Sequence, residues 1–130
     1  MTDDAGTWVI AALEVVTAVG IAAFWLTWPK EAHEEPWLPA GYVEHELAFR
    51  YPDSVLALTL VASAALLVLE EPLGASLALV AAGMLTFLGV IDVAYFTKHG
   101  LFARERGGLM YVGIVAGVLL LAVILVVRYA

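Results

Sequence analysis

Cysteine is absent from this sequence, and basic residues are few. Without cysteine, disulfide bonds, thiolate metal sites and cysteine nucleophiles are excluded. The 6 lysine and arginine residues are scattered and form no basic patch, so nucleic-acid binding is not expected. Charged residues make up 15% of the chain, whereas soluble domains have about 25%. The composition therefore disfavours a soluble domain.

Long apolar blocks take the place of a charged surface. The chain is 63% hydrophobic, with a mean hydropathy of +0.94. A helix rises about 1.5 Å per residue and the apolar core of a bilayer is about 30 Å thick, so four blocks are long enough to cross it. We predict spans at about residues 7–28, 54–70, 75–97 and 109–128. The predicted fold class is all-α: a polytopic membrane protein forming a single four-helix transmembrane domain.

The first block is expected to be a retained span. Its start is acidic, with Asp3 and Asp4, whereas a cleaved secretory signal begins with basic residues and has a shorter apolar core. Residues 52–54, Pro-Asp-Ser, are expected to mark the helix start of the second span, with Asp53 or Ser54 capping the exposed amides.

The connection 29–53 is long and rich in glutamate and histidine. Pro36 and Pro39 exclude one continuous helix there. We predict a short helix at about residues 41–49 that lies along the membrane interface, with Tyr42 and Phe49 on one face.

The positions of lysine and arginine predict the orientation of the chain. Arg128 alone belongs to the side that holds the two termini. The connections 29–53 and 98–108 carry the other basic residues, namely Lys30, Arg50, Lys98, Arg104 and Arg106. This bias predicts a multi-pass protein of the cell membrane with both connections in the cytoplasm and both termini outside.

Two carboxylates, Glu14 and Asp92, fall inside the predicted spans. A charge at the centre of a span costs roughly 2.5–3.5 kcal/mol, so such a residue marks a functional site or has a buried partner. Glu14 is a candidate for reversible protonation. The alternative is a neutral carboxyl that packs against a neighbouring helix. The two differ in depth by about 14 Å, too far to share a proton.

A ligand pocket is predicted around Asp92. Tyr95 and His99 follow it on the same helical face, and Asp53 begins the second span on the same side of the membrane. The connection 29–53 supplies one histidine, His45 or His33. The alternative is that the tyrosine and histidines simply anchor the helices at the interface. The pocket candidates are thus Asp92, Tyr95, His99, Asp53 and His45.

Two short runs, 33–35 and 44–46, contain metal-ligating residue types. Neither has the spacing of three or four residues that metal sites on helices require. We therefore predict no metal site. His33, His45 and Glu46 become candidates only if the fold brings both runs together with one of the aspartates. A solvated acidic connection explains the same residues, and no cofactor can be assigned.

Gly113 and Gly117 form a small-residue motif that permits close helix packing, either within the bundle or between copies of the chain. Residues 117–120, together with residues 11–15 around Glu14, resemble the small multidrug resistance transporters. The resemblance implies that Glu14 is a proton-binding glutamate and that 117–120 is a dimer contact. The long connection 29–53, the missing tryptophan motif of the third span and the charge bias all depart from that family.

The sequence leaves three functions open. The first is a non-enzymatic protein that binds a small or lipidic ligand, or a membrane partner, near Asp92. The others are a proton-coupled transporter that uses Glu14, and a membrane-embedded enzyme with acid–base or metal-binding residues around Asp92 and His45. The expected partners of the protein are the lipid bilayer and either further copies of the chain or another membrane protein.

Overall fold

A computed structural model describes residues 4–27, 36, 38–103 and 108–130. Helices account for most of these residues, and no strand occurs among them. Four helical segments are long and apolar enough to cross a membrane, one of them being α2 and α3 together. The helices are α1 (Asp4–Thr27), α2 (Tyr42–Ala48), α3 (Arg50–Val68), α4 (Pro72–Lys98) and α5 (Gly108–Tyr129). The predicted all-α integral membrane bundle is confirmed.

The start of the second span differs from the prediction. α3 begins at Arg50 and follows the short helix α2 after a single residue, Phe49. Proline lacks an N–H, and it is tolerated in the first turn of a helix, where amides have no partner within the helix. Pro52 is therefore tolerated in the first turn of α3, which begins two residues before it.

The predicted caps of this helix are also wrong. Phe49 is the residue that precedes α3, and no side chain caps its first turn. The Ser54 hydroxyl donates a hydrogen bond to the Arg50 carbonyl at 2.7 Å, whereas a carboxylate oxygen of Asp53 accepts one from Trp25 on α1.

The helices pack in chain order. α1 packs on α3, α3 on α4 and α4 on α5, whereas α1 and α5 barely touch. Leucines and alanines form the core, and the small alanines of α4 let its neighbours approach closely. Its fully buried members include Leu60, Leu85, Leu125, Ala78, Ala81 and Ala82. Because α1 and α5 barely touch, the bundle has an opening along one side.

The turn between α3 and α4 is tight. Glu70 takes a left-handed conformation with φ 60°. Its amide donates to the Leu67 carbonyl at 3.1 Å, and the Glu71 amide donates to the Leu66 carbonyl at 2.9 Å. This pair of bonds closes the end of α3 as a Schellman motif. A β-carbon on Gly74 would lie 2.6 Å from the Leu67 nitrogen, so only glycine fits there.

Candidate functional site

A cavity of about 520 Å³ lies between α1 and α5. We call it the α1–α5 groove. Its volume is within the range of about 300–1,000 Å³ that is typical of small-molecule sites. Its walls are mostly apolar side chains, with α3 and α4 contributing residues between the two outer helices. They include Leu13, Ile21, Phe24, Leu56, Leu88, Val118, Leu121 and Ile124.

Three glycines line the groove, Gly20 on α1 and Gly113 and Gly117 on α5. A β-carbon built on any of them would meet no atom within 4 Å. Gly113 and Gly117 therefore do not bring α5 against another helix of this chain within the part that the structure describes. Their lack of side chains widens the groove instead, and packing between copies stays a prediction.

Three carboxyl groups line one end of the groove: Glu46 from α2, Asp53 from α3 and Asp92 from α4. We call them the acidic cluster. Glu46 is close enough to interact electrostatically with both aspartates, and Asp92 interacts with Asp53. Three helices thus bring three acidic groups together in a partly buried place, where negative charges on them would repel each other with little screening.

Hydrogen bonding satisfies the acidic cluster only in part. The Trp25 indole donates its N–H to Oδ2 of Asp53 at 2.9 Å, and the Arg50 guanidinium lies 5.3 Å from the Trp25 ring centre. Glu46 is only 8% exposed, and its Oε1 accepts no hydrogen bond within the described ranges. A buried polar atom without a partner costs about 1–3 kcal/mol, so Glu46 has an acceptor to offer to a ligand.

The other predicted pocket residues form a separate group. The rings of His45 and Tyr95 stack at 3.7 Å between centres, and the His99 ring lies 4.6 Å from that of Tyr95. None of these three residues lines the groove. The predicted pocket is therefore divided: Asp53 and Asp92 lie in the groove, while the three rings join α2 to α4 beside it. His33, the other histidine considered, lies outside the described residues.

Glu46 is the groove residue that the pocket prediction missed. A spacing of four, three and four residues separates Tyr42, Glu46, Phe49 and Asp53. This spacing places residues on one face of a helix. The signal was present in the sequence, but the expected boundary at Pro52 assigned Glu46 and Asp53 to different elements.

The acidic cluster does not have the arrangement of a metal site. In the described part of the chain, no group of three histidine, cysteine, aspartate or glutamate residues is placed to hold a metal ion. Of the candidates considered, His45 belongs to the ring stack and Glu46 lines the groove.

Glu14 lies apart from the acidic cluster. Its side chain is fully buried and does not line the groove, although its neighbour Leu13 does. The Ser63 hydroxyl is close enough to interact with the Glu14 carboxyl, but it donates its hydrogen to the Gly74 carbonyl at 3.0 Å. Neither carboxyl oxygen of Glu14 has a hydrogen-bond partner among the described residues. The Glu14 carboxyl therefore faces the α3 helix.

No protein family, curated protein or solved structure matches this chain. The resemblance to small multidrug resistance transporters therefore stays a prediction.

Proposed function

We propose that this integral membrane protein binds a lipid-like amphipathic molecule in the α1–α5 groove. One observation carries the proposal: a cavity of about 520 Å³ has apolar walls along its length and carboxyl groups at one end. Binding sites for small molecules combine such apolar walls with a few convergent polar groups. The groove fits a molecule with one apolar chain and one polar head.

The position of the groove supports entry from the bilayer. It lies between the two helices that barely touch, so its long side faces the lipid. Asp92 precedes the end of α4 by six residues, which corresponds to about 9 Å along a helix. The acidic cluster thus lies towards the membrane surface from which α2 emerges. A lipid with its head at this surface would place its chain along the groove.

Filling the groove tests the proposal. Gly117→Leu adds a side chain to the open space of the groove, and Gly83→Leu is the matched control. Gly83 also has open space around it, but it does not line the groove. Native mass spectrometry of both variants, purified from membranes in the same detergent, should show co-purified lipid lost from Gly117→Leu and kept by Gly83→Leu. Equal lipid retention in the two variants would contradict the proposal.

A second candidate is a proton-coupled transporter that uses Glu14. It is favoured by the complete burial of this carboxyl and by the lack of a hydrogen-bond partner for its oxygens within the described ranges. A buried carboxyl of this kind is suited to exchanging a proton. In protein reconstituted in vesicles, Glu14→Gln should abolish proton release coupled to substrate binding, and unchanged release would rule the candidate out.

The enzyme alternative has Asp92, His45 and His99 as its acid–base candidates. Asp92 lines the groove, whereas the two histidines are packed against the Tyr95 ring beside it, so the three are not brought together in one cavity.

A further inference from the structure

We infer that the acidic cluster recognises the primary ammonium head group of an amine-bearing lipid. The inference rests on the proposed function and specifies the class of ligand. Glu46, Asp53 and Asp92 come from three helices and line the same end of one cavity. Among the residues that the structure describes, no lysine, arginine or histidine lines the cavity. Negative charge on these carboxyl groups is therefore offset best by a cation that enters with the ligand.

The cation is organic rather than metallic. A metal ion needs several ligand atoms within about 2–2.6 Å, in a defined geometry. The described residues contain no group of three ligands placed for this purpose. An ammonium group instead donates hydrogen bonds to carboxylates at about 2.7–2.9 Å and in varied directions. It suits carboxyl groups that line one cavity from separate helices without the close spacing of a metal site.

The unpartnered oxygen of Glu46 favours an ammonium that carries hydrogens. Glu46 is 8% exposed, and its Oε1 has no hydrogen-bond donor within the described part of the chain. Asp53 has a donor, Trp25, at one of its two oxygens. Carboxylates only accept hydrogen bonds, and a primary ammonium offers three N–H donors, whereas a quaternary ammonium offers none. A primary ammonium can therefore satisfy Glu46 and still reach an aspartate.

Aromatic rings next to the carboxyl groups suit either kind of ammonium. Trp25, Phe49, Phe96 and Tyr111 line the cavity together with the acidic cluster, and a cation is attracted to the face of such rings. A quaternary head group should thus bind more weakly than a primary one, without being rejected completely. The number of N–H donors is the property that separates the two.

The test is a series of phosphatidylethanolamines with identical acyl chains and zero, one, two or three N-methyl groups, the last being phosphatidylcholine. Native mass spectrometry of the full-length protein in detergent, with each lipid added in turn, measures the affinity. We expect the affinity to fall about tenfold from the first lipid to the last, because charge-assisted hydrogen bonds are lost. A flat series in the wild-type protein would overturn the inference.

Two variants connect this selectivity to the acidic cluster. Glu46→Gln should reduce the difference between the end members of the series to less than about threefold, because only a neutral acceptor remains. Glu44→Gln is the matched control, since Glu44 is on the same helix but exposed, and it should keep the full difference. If Glu46→Gln does not fold, Asp92→Asn takes its place. Unchanged selectivity in the folded cluster variant would also overturn the inference.

The groove variant separates the two proposals. Gly117→Leu should weaken the binding of all four lipids alike, whereas Gly83→Leu should leave it unchanged. If the wild-type protein binds all four lipids with equal affinity but Gly117→Leu binds them more weakly, recognition of the ammonium head group is refuted. The groove then remains a lipid-binding site. Equal binding by both glycine variants would refute the proposed function as well.

Discussion

Trp25 and Asp53 are joined by a hydrogen bond of 2.9 Å from the indole N–H to the carboxylate. The bond connects α1 to α3 at the acidic end of the α1–α5 groove, where both residues line the cavity. It also fixes the direction in which the Asp53 carboxylate points. The same contact thus contributes to the stability of the bundle and to the shape of the site.

Replacing the indole tests this contribution. Trp25→Phe keeps an aromatic ring but removes the N–H donor, so the free energy of unfolding should fall by about 1–2 kcal/mol. The control is Trp8→Phe, because Trp8 is 61% exposed and should change stability by less than about 0.5 kcal/mol. Reversible unfolding in mixed micelles measures both. Equal losses would show that the hydrogen bond contributes little.

The tight turn between α3 and α4 should not tolerate a larger residue than glycine at position 74. A β-carbon there would lie 2.6 Å from the Leu67 nitrogen, a backbone atom that cannot move alone. Gly74→Ala should therefore destabilise the protein by about 1–3 kcal/mol. Gly83→Ala has open space and should be neutral or slightly stabilising. Thermal unfolding in one detergent compares them, and matching midpoints would contradict the close approach.

Glu70 offers a stabilising substitution. Its φ of 60° is unfavourable for any residue with a β-carbon. Glu70→Gly should raise the free energy of unfolding by about 0.5–1 kcal/mol. The neighbouring Glu71 is extended, with φ −88° and ψ 133°, so Glu71→Gly should give no gain. The same unfolding assay tests the pair, and a loss of stability in Glu70→Gly would contradict the expected relief of strain.

The absence of cysteine makes the orientation testable with single-cysteine variants. Lysine and arginine positions predict that the termini are outside and that the first connection is cytoplasmic. In intact cells, a membrane-impermeant maleimide should label Ala130→Cys but not Ala40→Cys. Both should react once the cells are permeabilised. If Ala40→Cys but not Ala130→Cys were labelled in intact cells, the orientation would be the opposite of the predicted one.

The spans were predictable from the sequence because their length and hydropathy depend only on local residues. The short helix α2 was predictable for the same reason, since Pro36 and Pro39 confine it and Tyr42 and Phe49 have the spacing of one helical face. Its place at the membrane interface stays a prediction. The start of α3 was misplaced because Pro52 is compatible both with a boundary and with the first turn of a helix.

The groove could not be predicted, because it depends on how far apart α1 and α5 lie. Gly113 and Gly117 have the same spacing whether they pack against a helix or leave space open. Asp92 and Tyr95 share a helical face in the sequence, yet in the fold Asp92 lines the cavity and Tyr95 stacks on His45. Spacing along one helix cannot show which neighbour each residue meets.

Packing in chain order also has a consequence for biosynthesis. Each membrane-crossing segment finds its main partner in the one made just before it, so contacts between the first and the last segment contribute little to assembly. Folds dominated by short-range contacts form quickly, because little chain entropy is lost in closing loops. The pairs α1–α3, α3–α4 and α4–α5 can therefore form in turn as the ribosome delivers them, and no step has to wait for the last helix to meet the first.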